Sequence, residues 1–238
     1  MASKVAILSY HKIGPPMPRG WDTWYYISKT IFTKQLLELQ LMGYEFIDLP
    51  RLYEGLDDSA TLPAKAALIT FDDGYRNNLT VAMPVMKRMG VPGVVFVPTH
   101  YVGGMNIWDS GGPEPDEEIC SWDELLELEK NGVRIESHSL SHPSFSNLSP
   151  DEQEIELLQS RLILEQHLNR KVELFAYPYG DSGMDHAVSE QLLKKTGYRA
   201  ACLYGGGAIT LPGANRFRLE RLAMGPDTDL KAILNNPA

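Results

Sequence analysis

Two adjacent carboxylates, Asp72 and Asp73, directly follow the apolar run at residues 66–71 and precede Gly74. At the mouth of a buried strand, their like charges cost free energy unless a cation, a proton or a hydrogen-bond donor lies between them. The alternative is an ordinary turn with one spare acid, because Asp-Gly is common turn chemistry. For this stretch alone the turn is the simpler interpretation, so the pair has to be weighed together with other residues.

Two histidines four residues apart, His138 and His142, lie in the segment SHSLSH at the end of another predicted strand. Such a pair can direct two imidazoles to the same side of one helical turn, a common way to hold zinc. Two imidazoles and one carboxylate leave coordination positions open for water and substrate, as in catalytic metal sites. If one acid of the Asp pair is a ligand, its neighbour is free to take a proton from that water.

A third predicted strand ends in FAYPYG, which contains Tyr177, Pro178 and Tyr179. Taken singly, each of the three segments has an ordinary structural interpretation: a turn, a polar surface loop and an aromatic turn. Because all three stand at strand ends of one chain, their combination favours a metal site.

The elements that must position these residues alternate between strand-like and helix-like patterns. Repeated βα units predict one parallel sheet, closed into a barrel or open, with ligand chemistry at the C-terminal ends of its strands. No linker, repeat or low-complexity tract interrupts them. The predicted strands are 5–10, 45–49, 66–71, 93–99, 133–139, 172–178, 199–204 and 218–224, and the predicted helices are 33–44, 78–90 with a break near Pro84, 121–132, 149–170 and 185–196.

The composition of the 238 residues is that of a globular protein, with 43% hydrophobic and 22% charged residues. A formal net charge of −9 argues against nucleic acid as a partner. Two cysteines without CxxC spacing make a disulfide framework or a cysteine-ligated zinc site improbable. The N-terminal apolar run is too short for a secretory signal, and no segment reaches transmembrane length. We therefore expect a cytoplasmic protein if the chain is complete, and a secreted one if a leader has been removed.

The segments TFDDG (70–74), HSLSH (138–142) and FAYPYG (175–180), in this order, closely resemble the signature motifs of the polysaccharide deacetylases, the NodB-homology family of carbohydrate esterases. The resemblance extends from about Val5 to Met224. It implies a single catalytic domain over residues 1–238, folded as a distorted (β/α) barrel of about seven parallel strands. It also implies a divalent metal, zinc in the first place with cobalt, nickel or manganese as alternatives, and hydrolysis of an acetyl group from a glycan.

The resemblance also suggests roles for individual residues. Asp73, His138 and His142 look like the metal ligands, and Asp72 looks like the general base. The backbone N–H of Tyr179 looks like the donor to the oxyanion. These roles are physically consistent, because a metal polarises a carbonyl and acidifies its water, and a donor aimed at a developing oxyanion can lower the barrier by ~3 kcal/mol.

Two positions depart from the family pattern. Many members carry an arginine that tethers the base where this chain has Ala176, and Arg221 on a late strand is our candidate substitute. The alternative is that Arg221 is an ordinary surface or strand-edge arginine that pairs with Glu220 or another acid. Many members also have a late histidine as general acid, but this chain has no histidine after Met224. His11, at the end of the first strand, is then the candidate acid, and a hydrogen-bonded core histidine is the alternative.

The expected substrate is an N-acetylated hexosamine in a glycan or glycoconjugate, bordered by Trp108, Tyr177, Pro178 and Tyr179. Flat rings suit the apolar faces of sugars. Two other functions stay open: hydrolysis of a small cyclic amide by the same chemistry, and an inactive carbohydrate-binding relative. Neither the glycan nor the oligomeric state can be inferred from the sequence.

Overall fold

The strand β1 (Ser3–Tyr10) lies inside a curled sheet in the computed structural model, which describes residues 2–235, and every residue of this strand except Lys4 is buried. The further strands are β2 (Lys12–Ile13), β3 (Tyr26–Ile27), β4 (Glu45–Phe46), β5 (Lys65–Phe71), β6 (Gly93–Val97), β7 (Val133–Ser137), β8 (Leu174–Ala176), β9 (Ala200–Cys202), β10 (Ile209–Leu211) and β11 (Leu222–Ala223). The helices are α1 (Lys29–Leu41), α2 (Leu49–Asp57), α3 (Met83–Met89), α4 (Trp122–Lys130), α5 (Pro150–Leu168), α6 (His186–Lys195) and α7 (Leu230–Asn235).

Seven strands follow one another across the sheet in the order β10–β1–β5–β6–β7–β8–β9, and all neighbours are parallel except β10 and β1. The segment that ends in β11 connects the edge strand β9 to β1 and so closes the sheet. Leu219 forms a bridge to Cys202 on β9, and Leu222 pairs with Leu8 on β1. The expected distorted (β/α) barrel is therefore confirmed, with a short irregular segment at its seam.

The strands are buried on both faces, which explains their continuous apolar sequences. One set of their side chains packs against α1 and α3 to α7 outside the sheet. The alternate set, with Val5 and Leu68 among its members, packs inside the barrel together with residues of α2. Towards the C-terminal ends of the strands this inner face becomes polar, through Ser9, Thr70 and Asp72. The polar inner residues mark the end of the barrel at which chemistry is expected.

Helix starts and stops explain where the sequence-based boundaries were right and wrong. The capping box of α5 is present, since the Ser149 side chain accepts from Glu152 N and Glu152 accepts from Ser149 N. The predicted strand at 45–49 ends at Phe46, because Asp48 caps a helix, α2, that was not predicted. The predicted helix at 78–90 is divided into a wide helical turn at 78–82 and α3, in which Pro84 occupies the first turn.

Within residues 2–235, no helix combines the length and the apolar character that a membrane span requires.

Candidate active site

The two adjacent carboxylates at the end of β5 point to different partners. The Asp72 N–H donates to the carbonyl of Tyr10 at 2.9 Å, so Asp72 continues the strand and its side chain follows Thr70 on the inner face. Asp73 has a left-handed backbone with φ of 72°, which turns the chain away from the strand. A non-glycine residue rarely adopts this conformation, and such residues concentrate at functional sites. Because of this turn, the side chains of Asp72 and Asp73 occupy separate positions although the two residues are adjacent in sequence.

The loop after β7 carries both predicted histidine ligands. It is irregular rather than one turn of helix, so the helical expectation for this pair was wrong. Left-handed backbone at Ser139 and His142 curls the loop instead, and the His142 N–H donates to Ser139 Oγ at 2.9 Å. Glu156 on α5 accepts from the N–H groups of Leu140 and Ser141. These local bonds hold both imidazoles towards the end of β5.

Asp73, His138 and His142 form a buried cluster whose ligand atoms all lie within 4.8 Å of one another. Asp73 Oδ1 is 3.5 Å from His138 Nε2 and 3.2 Å from His142 Nε2. His138 Nδ1 lies 2.7 Å from the carbonyl oxygen of Ala176, so it carries the proton and donates it. The lone pair of His138 Nε2 therefore faces the carboxylate.

This arrangement fits a cation. Asp73 Oδ1 is buried and accepts no hydrogen bond from any residue between 2 and 235. Burial lowers the pKa of His138 to about 4, so its imidazole is neutral near pH 7 and is able to coordinate. A buried carboxylate oxygen that faces the neutral imidazole of His138 is unfavourable without a positive charge between them. Two imidazoles and one carboxylate are a donor set typical of zinc and related divalent metals.

Arg221 holds the second carboxylate. Its Nη1 lies 2.6 Å from Asp72 Oδ1 and its Nη2 2.8 Å from Oδ2, and the guanidinium is fully buried. Further bonds from Arg221 to Thr70 Oγ1 and to the carbonyl of Leu203 fix its plane. Burial raises the pKa of Asp72, but the charge of Arg221 outweighs it, so the pKa lies below its usual value. Asp72 is therefore an ionised carboxylate in one fixed orientation.

His11 lies beside Asp72 in the wall of the same cavity. Its Nε2 is 3.9 Å from Asp72 Oδ2, beyond hydrogen-bonding distance, and its Nδ1 is buried without a partner among the described residues. Its ring packs on Tyr25 at 4.7 Å and edge-on to Tyr204 at 5.4 Å between centroids. Neither ring nitrogen forms a hydrogen bond with any residue from 2 to 235, whereas a structural core histidine would have such a partner.

Trp108 and Tyr179 enclose the ring of His142. Trp108 stacks on it at 4.6 Å between centroids, and Tyr179 meets it edge-on at 4.7 Å. Tyr179 has a φ of 59° and Gly180 a φ of 70°, and a Cβ on Gly180 would meet the backbone of Tyr204 at 2.7 Å. The YPYG turn is thus fitted closely against the neighbouring loop.

Two other predicted substrate-binding residues lie away from the cavity. Tyr177 is buried and packs edge-on against Phe145 and Phe175. Pro178 is also buried in the turn. Neither side chain lines the cavity.

All these elements surround one cavity of about 220 Å³ at the C-terminal ends of the strands. A larger depression of about 510 Å³ elsewhere on the surface includes none of the candidate site residues. Sequence reasoning brought together seven of the lining residues: His11, Asp72, Asp73, Trp108, His138, His142 and Tyr179. It missed Lys12, Tyr25, Tyr75, Asp109, Pro113, Glu114 and Tyr204.

The missed residues come largely from two long loops. Lys12 is buried, its Nζ lies 2.7 Å from Glu114 Oε2, and the rings of Tyr26 and Tyr75 flank it. Asp109 stands directly after Trp108, and burial together with the charge of Asp73 raises its pKa. The sequence feature that could have indicated these residues is the length of the irregular segments 12–30 and 101–118, because loops of this length often carry binding residues.

This fold and cavity define an α/β-barrel hydrolase site at the C-terminal ends of parallel strands. The profile of the polysaccharide deacetylase family matches residues 59–201. The chain belongs to this family, which consists of hydrolases acting on amide bonds, and the resemblance stated from the motifs is confirmed.

Relatives and solved structures agree with this assignment. YxkH of Bacillus subtilis is 25% identical over 232 residues, which cover 94% of this chain and 72% of that protein. A poly-β-1,6-N-acetyl-D-glucosamine N-deacetylase of Staphylococcus aureus is 25% identical over 213 residues, covering 85% and 69%. The structure of IcaB from Ammonifex degensii superposes with a TM-score of 0.78 at 25% identity, covering 94% of this chain and 93% of that one.

Proposed function

We propose that the protein is a metal-dependent deacetylase that hydrolyses the N-acetyl group of a hexosamine in a glycan, and that residues 1–238 are one catalytic domain. The observation that carries this proposal is the position of the buried Asp73–His138–His142 cluster beside the arginine-held Asp72 in one cavity. The name of the staphylococcal relative, an N-deacetylase of poly-β-1,6-N-acetyl-D-glucosamine, supports an N-acetylated substrate.

Asp73, His138 and His142 are the residues that would hold the metal, with zinc as the first expectation and cobalt, nickel or manganese as alternatives. When bound there, the metal would polarise the acetyl carbonyl and lower the pKa of a water molecule. The carbonyl of Ala176 accepts a hydrogen bond from His138 Nδ1 and thereby fixes the tautomer of this ligand.

The remaining roles belong to side chains and backbone of this chain. Asp72 accepts a proton from the attacking water, and Arg221 holds its carboxylate in position through two hydrogen bonds. The backbone N–H of Tyr179 donates to the oxygen that becomes negative as water adds to the acetyl carbon. His11 donates a proton to the nitrogen as the carbon–nitrogen bond breaks, which leaves acetate and a free amine.

The pairing of Arg221 with Asp72 weighs against an inactive carbohydrate-binding relative. The absence of an arginine at Ala176 was one reason to consider that alternative. The guanidinium of Arg221, the residue just before β11, reaches Asp72 from the barrel seam, and both of its bonds to this carboxylate are buried. The base therefore has its tether despite the altered motif.

Acetate release tests the proposed function. The purified protein is incubated with N-acetylglucosamine oligomers of β-1,4 and β-1,6 linkage and, separately, with a panel of cyclic amides. We expect acetate and free amine in equal amounts from at least one oligomer, loss of release with a chelator, and recovery on addition of zinc. Hydrolysis of a cyclic amide without any release from the oligomers would contradict the proposal.

A further inference from the structure

Two exposed tryptophans, Trp21 and Trp24, lie on the loop that leads from β2 to β3 and have no part in the chemistry proposed above. Trp21 is 51% exposed and Trp24 is 41% exposed. Among the large hydrophobic residues exposed within 2–235, the aromatic ones are Trp21, Trp24 and Tyr179, whereas the aliphatic ones lie mostly on helices. Exposed aromatic rings are thus concentrated around one part of the surface.

Trp24 is connected to the cavity by a row of rings. Its indole meets Tyr25 edge-on with 5.7 Å between centroids, and Tyr25 packs on His11 at 4.7 Å. Tyr25 and His11 both line the cavity. Trp21 reaches the same rim differently, because its Nε1 donates to the carbonyl of Pro113 at 3.0 Å, and Pro113 also lines the cavity. Both indoles therefore border the entrance to the site.

Both indoles are also held in place. The Trp24 Nε1 donates to Asp227 Oδ1 at 2.8 Å, and its ring lies so close to Gly225 that a Cβ there would meet it at 2.1 Å. The loop itself is tied to the segment 101–118, because Thr23 Oγ1 donates to Glu114 and the Met17 N–H donates to Glu117. Since the N–H groups of both indoles are already bonded, the exposed parts of their rings are what they offer to a ligand.

A fixed aromatic face surrounded by acceptors suits a carbohydrate. The apolar C–H face of a sugar ring packs on an indole, while its hydroxyl groups need acceptors nearby. Asp22 and Asp227 are exposed beside the two tryptophans, and Glu114 lies between this loop and the cavity. These neighbours are polar and acidic rather than aliphatic, which distinguishes the surface from an apolar patch that would pack against another protein.

We propose that Trp21 and Trp24 form a glycan-binding surface outside the cavity, which contacts the sugars of the chain beyond the one that is deacetylated. The sugar next to the one that is deacetylated packs on Trp24, and the glycan continues towards Trp21. This inference rests on the proposed function, to which it adds a binding surface for the neighbouring sugars.

Chain-length dependence of the rate tests the proposal. Rates are measured on N-acetylglucosamine oligomers from one to six sugars. We expect kcat/KM of the wild type to rise by on the order of tenfold from the monomer to the tetramer. In Trp24→Ala we expect this gain to disappear, mainly through a higher KM for the tetramer. The kcat/KM for the monomer should change by less than twofold. Trp24→Phe should recover part of the gain, because it retains a flat ring.

Leu162→Ala is the matched control, since Leu162 is 48% exposed on α5, away from the cavity lining. It should leave the length dependence unchanged. Equal kcat/KM on monomer and tetramer in the wild type would overturn the inference, as would an equal loss on both substrates in Trp24→Ala. Either result leaves the proposed deacetylation intact.

If the wild type releases no acetate from any oligomer, the proposed function is wrong. The glycan-binding surface is then tested by measuring oligomer binding instead of turnover. Titration calorimetry with the tetramer should then show binding weakened by on the order of tenfold in Trp24→Ala. No tetramer binding by the wild type, or equal binding by both proteins, would overturn the glycan-binding surface.

Discussion

Two buried carboxylates in this protein are each held by an arginine, yet only one of them lines the catalytic cavity. Asp72 at the end of β5 is bonded by Arg221, and Glu136 on β7 is bonded by Arg170. Glu136 also accepts from the backbone N–H groups of Glu173 and Leu174, so its partners tie neighbouring strands together. Asp72 instead has His11 and the Asp73–His138–His142 cluster beside it, in a cavity open to ligands.

The difference shows that a buried ion pair does not by itself identify an active site. Removing one partner of such a pair costs about 3–5 kcal/mol wherever it lies, because a buried charge is left uncompensated. What distinguishes Asp72 is its position at a strand end, next to a cavity and to His11, whose Nδ1 has no hydrogen-bond partner within residues 2–235. The comparison therefore predicts different consequences for matched changes at the two pairs.

The largest effect is expected at the cluster beside Asp72. His142→Ala removes one of the three proposed ligands, so bound metal should fall well below one equivalent and turnover by on the order of 10⁴-fold. Metal analysis and acetate release measure the two effects. His167→Ala is the control, because this histidine stacks on Trp122 outside the cavity. A His142→Ala protein that keeps both metal and activity would exclude this ligand assignment.

A smaller and more selective effect is expected for the arginines. Arg221→Lys keeps the charge but loses the two parallel bonds to Asp72, so turnover should fall by about 100-fold with metal content unchanged. Arg170→Lys should change turnover by less than twofold, although both variants lose stability in denaturant titrations. Equal losses of turnover in the two variants would mean that Arg221 has only a structural role.

The smallest effect concerns a carboxylate held without arginine. Asp181 accepts from Ser144, Ser146 and the Gly183 N–H, and although burial raises its pKa, these bonds outweigh burial and lower it to about 2. A depressed pKa stabilises the fold above the ordinary value near 4 and loses that contribution as the pH falls towards 2.

Asp181→Asn should therefore cost about 1 kcal/mol near pH 7, after allowance for solvent screening. Unfolding free energies of both proteins at several pH values measure the cost. The difference between wild type and variant should shrink as the pH falls towards 2. A difference that does not depend on pH would show that the charge of Asp181 does not stabilise this loop.

Local sequence patterns predicted the parts of the fold that depend on neighbours along the chain. The apolar run before Asp72 predicted β5, and Ser149 with Glu152 predicted the start of α5. The positions of the motifs at predicted strand ends also predicted that Asp72, Asp73, His138 and His142 lie together at one end of the sheet. Strand alternation and helix capping act over a few residues, so a single sequence contains them.

Long-range contacts between loops were outside the reach of such patterns. The ion pair of Lys12 with Glu114 joins residues 102 positions apart, and Tyr25 and Tyr204 reach the cavity from separate loops. The curl of the histidine loop depends on left-handed backbone at Ser139 and His142, which is uncommon for residues other than glycine. These features depend on packing in the complete barrel, so sequence spacing alone did not reveal them.

The most direct test of the account compares acetate release by Asp72→Asn and Glu136→Gln, each an isosteric loss of one buried carboxylate. With metal content determined in both, we expect Asp72→Asn to keep its metal and lose about 10²–10⁴-fold in kcat, because water has no proton acceptor. Glu136→Gln should lose stability while its kcat stays within twofold of the wild type. Full activity in Asp72→Asn with bound metal, or loss of metal in that variant, would contradict the assignment of Asp72 as the base.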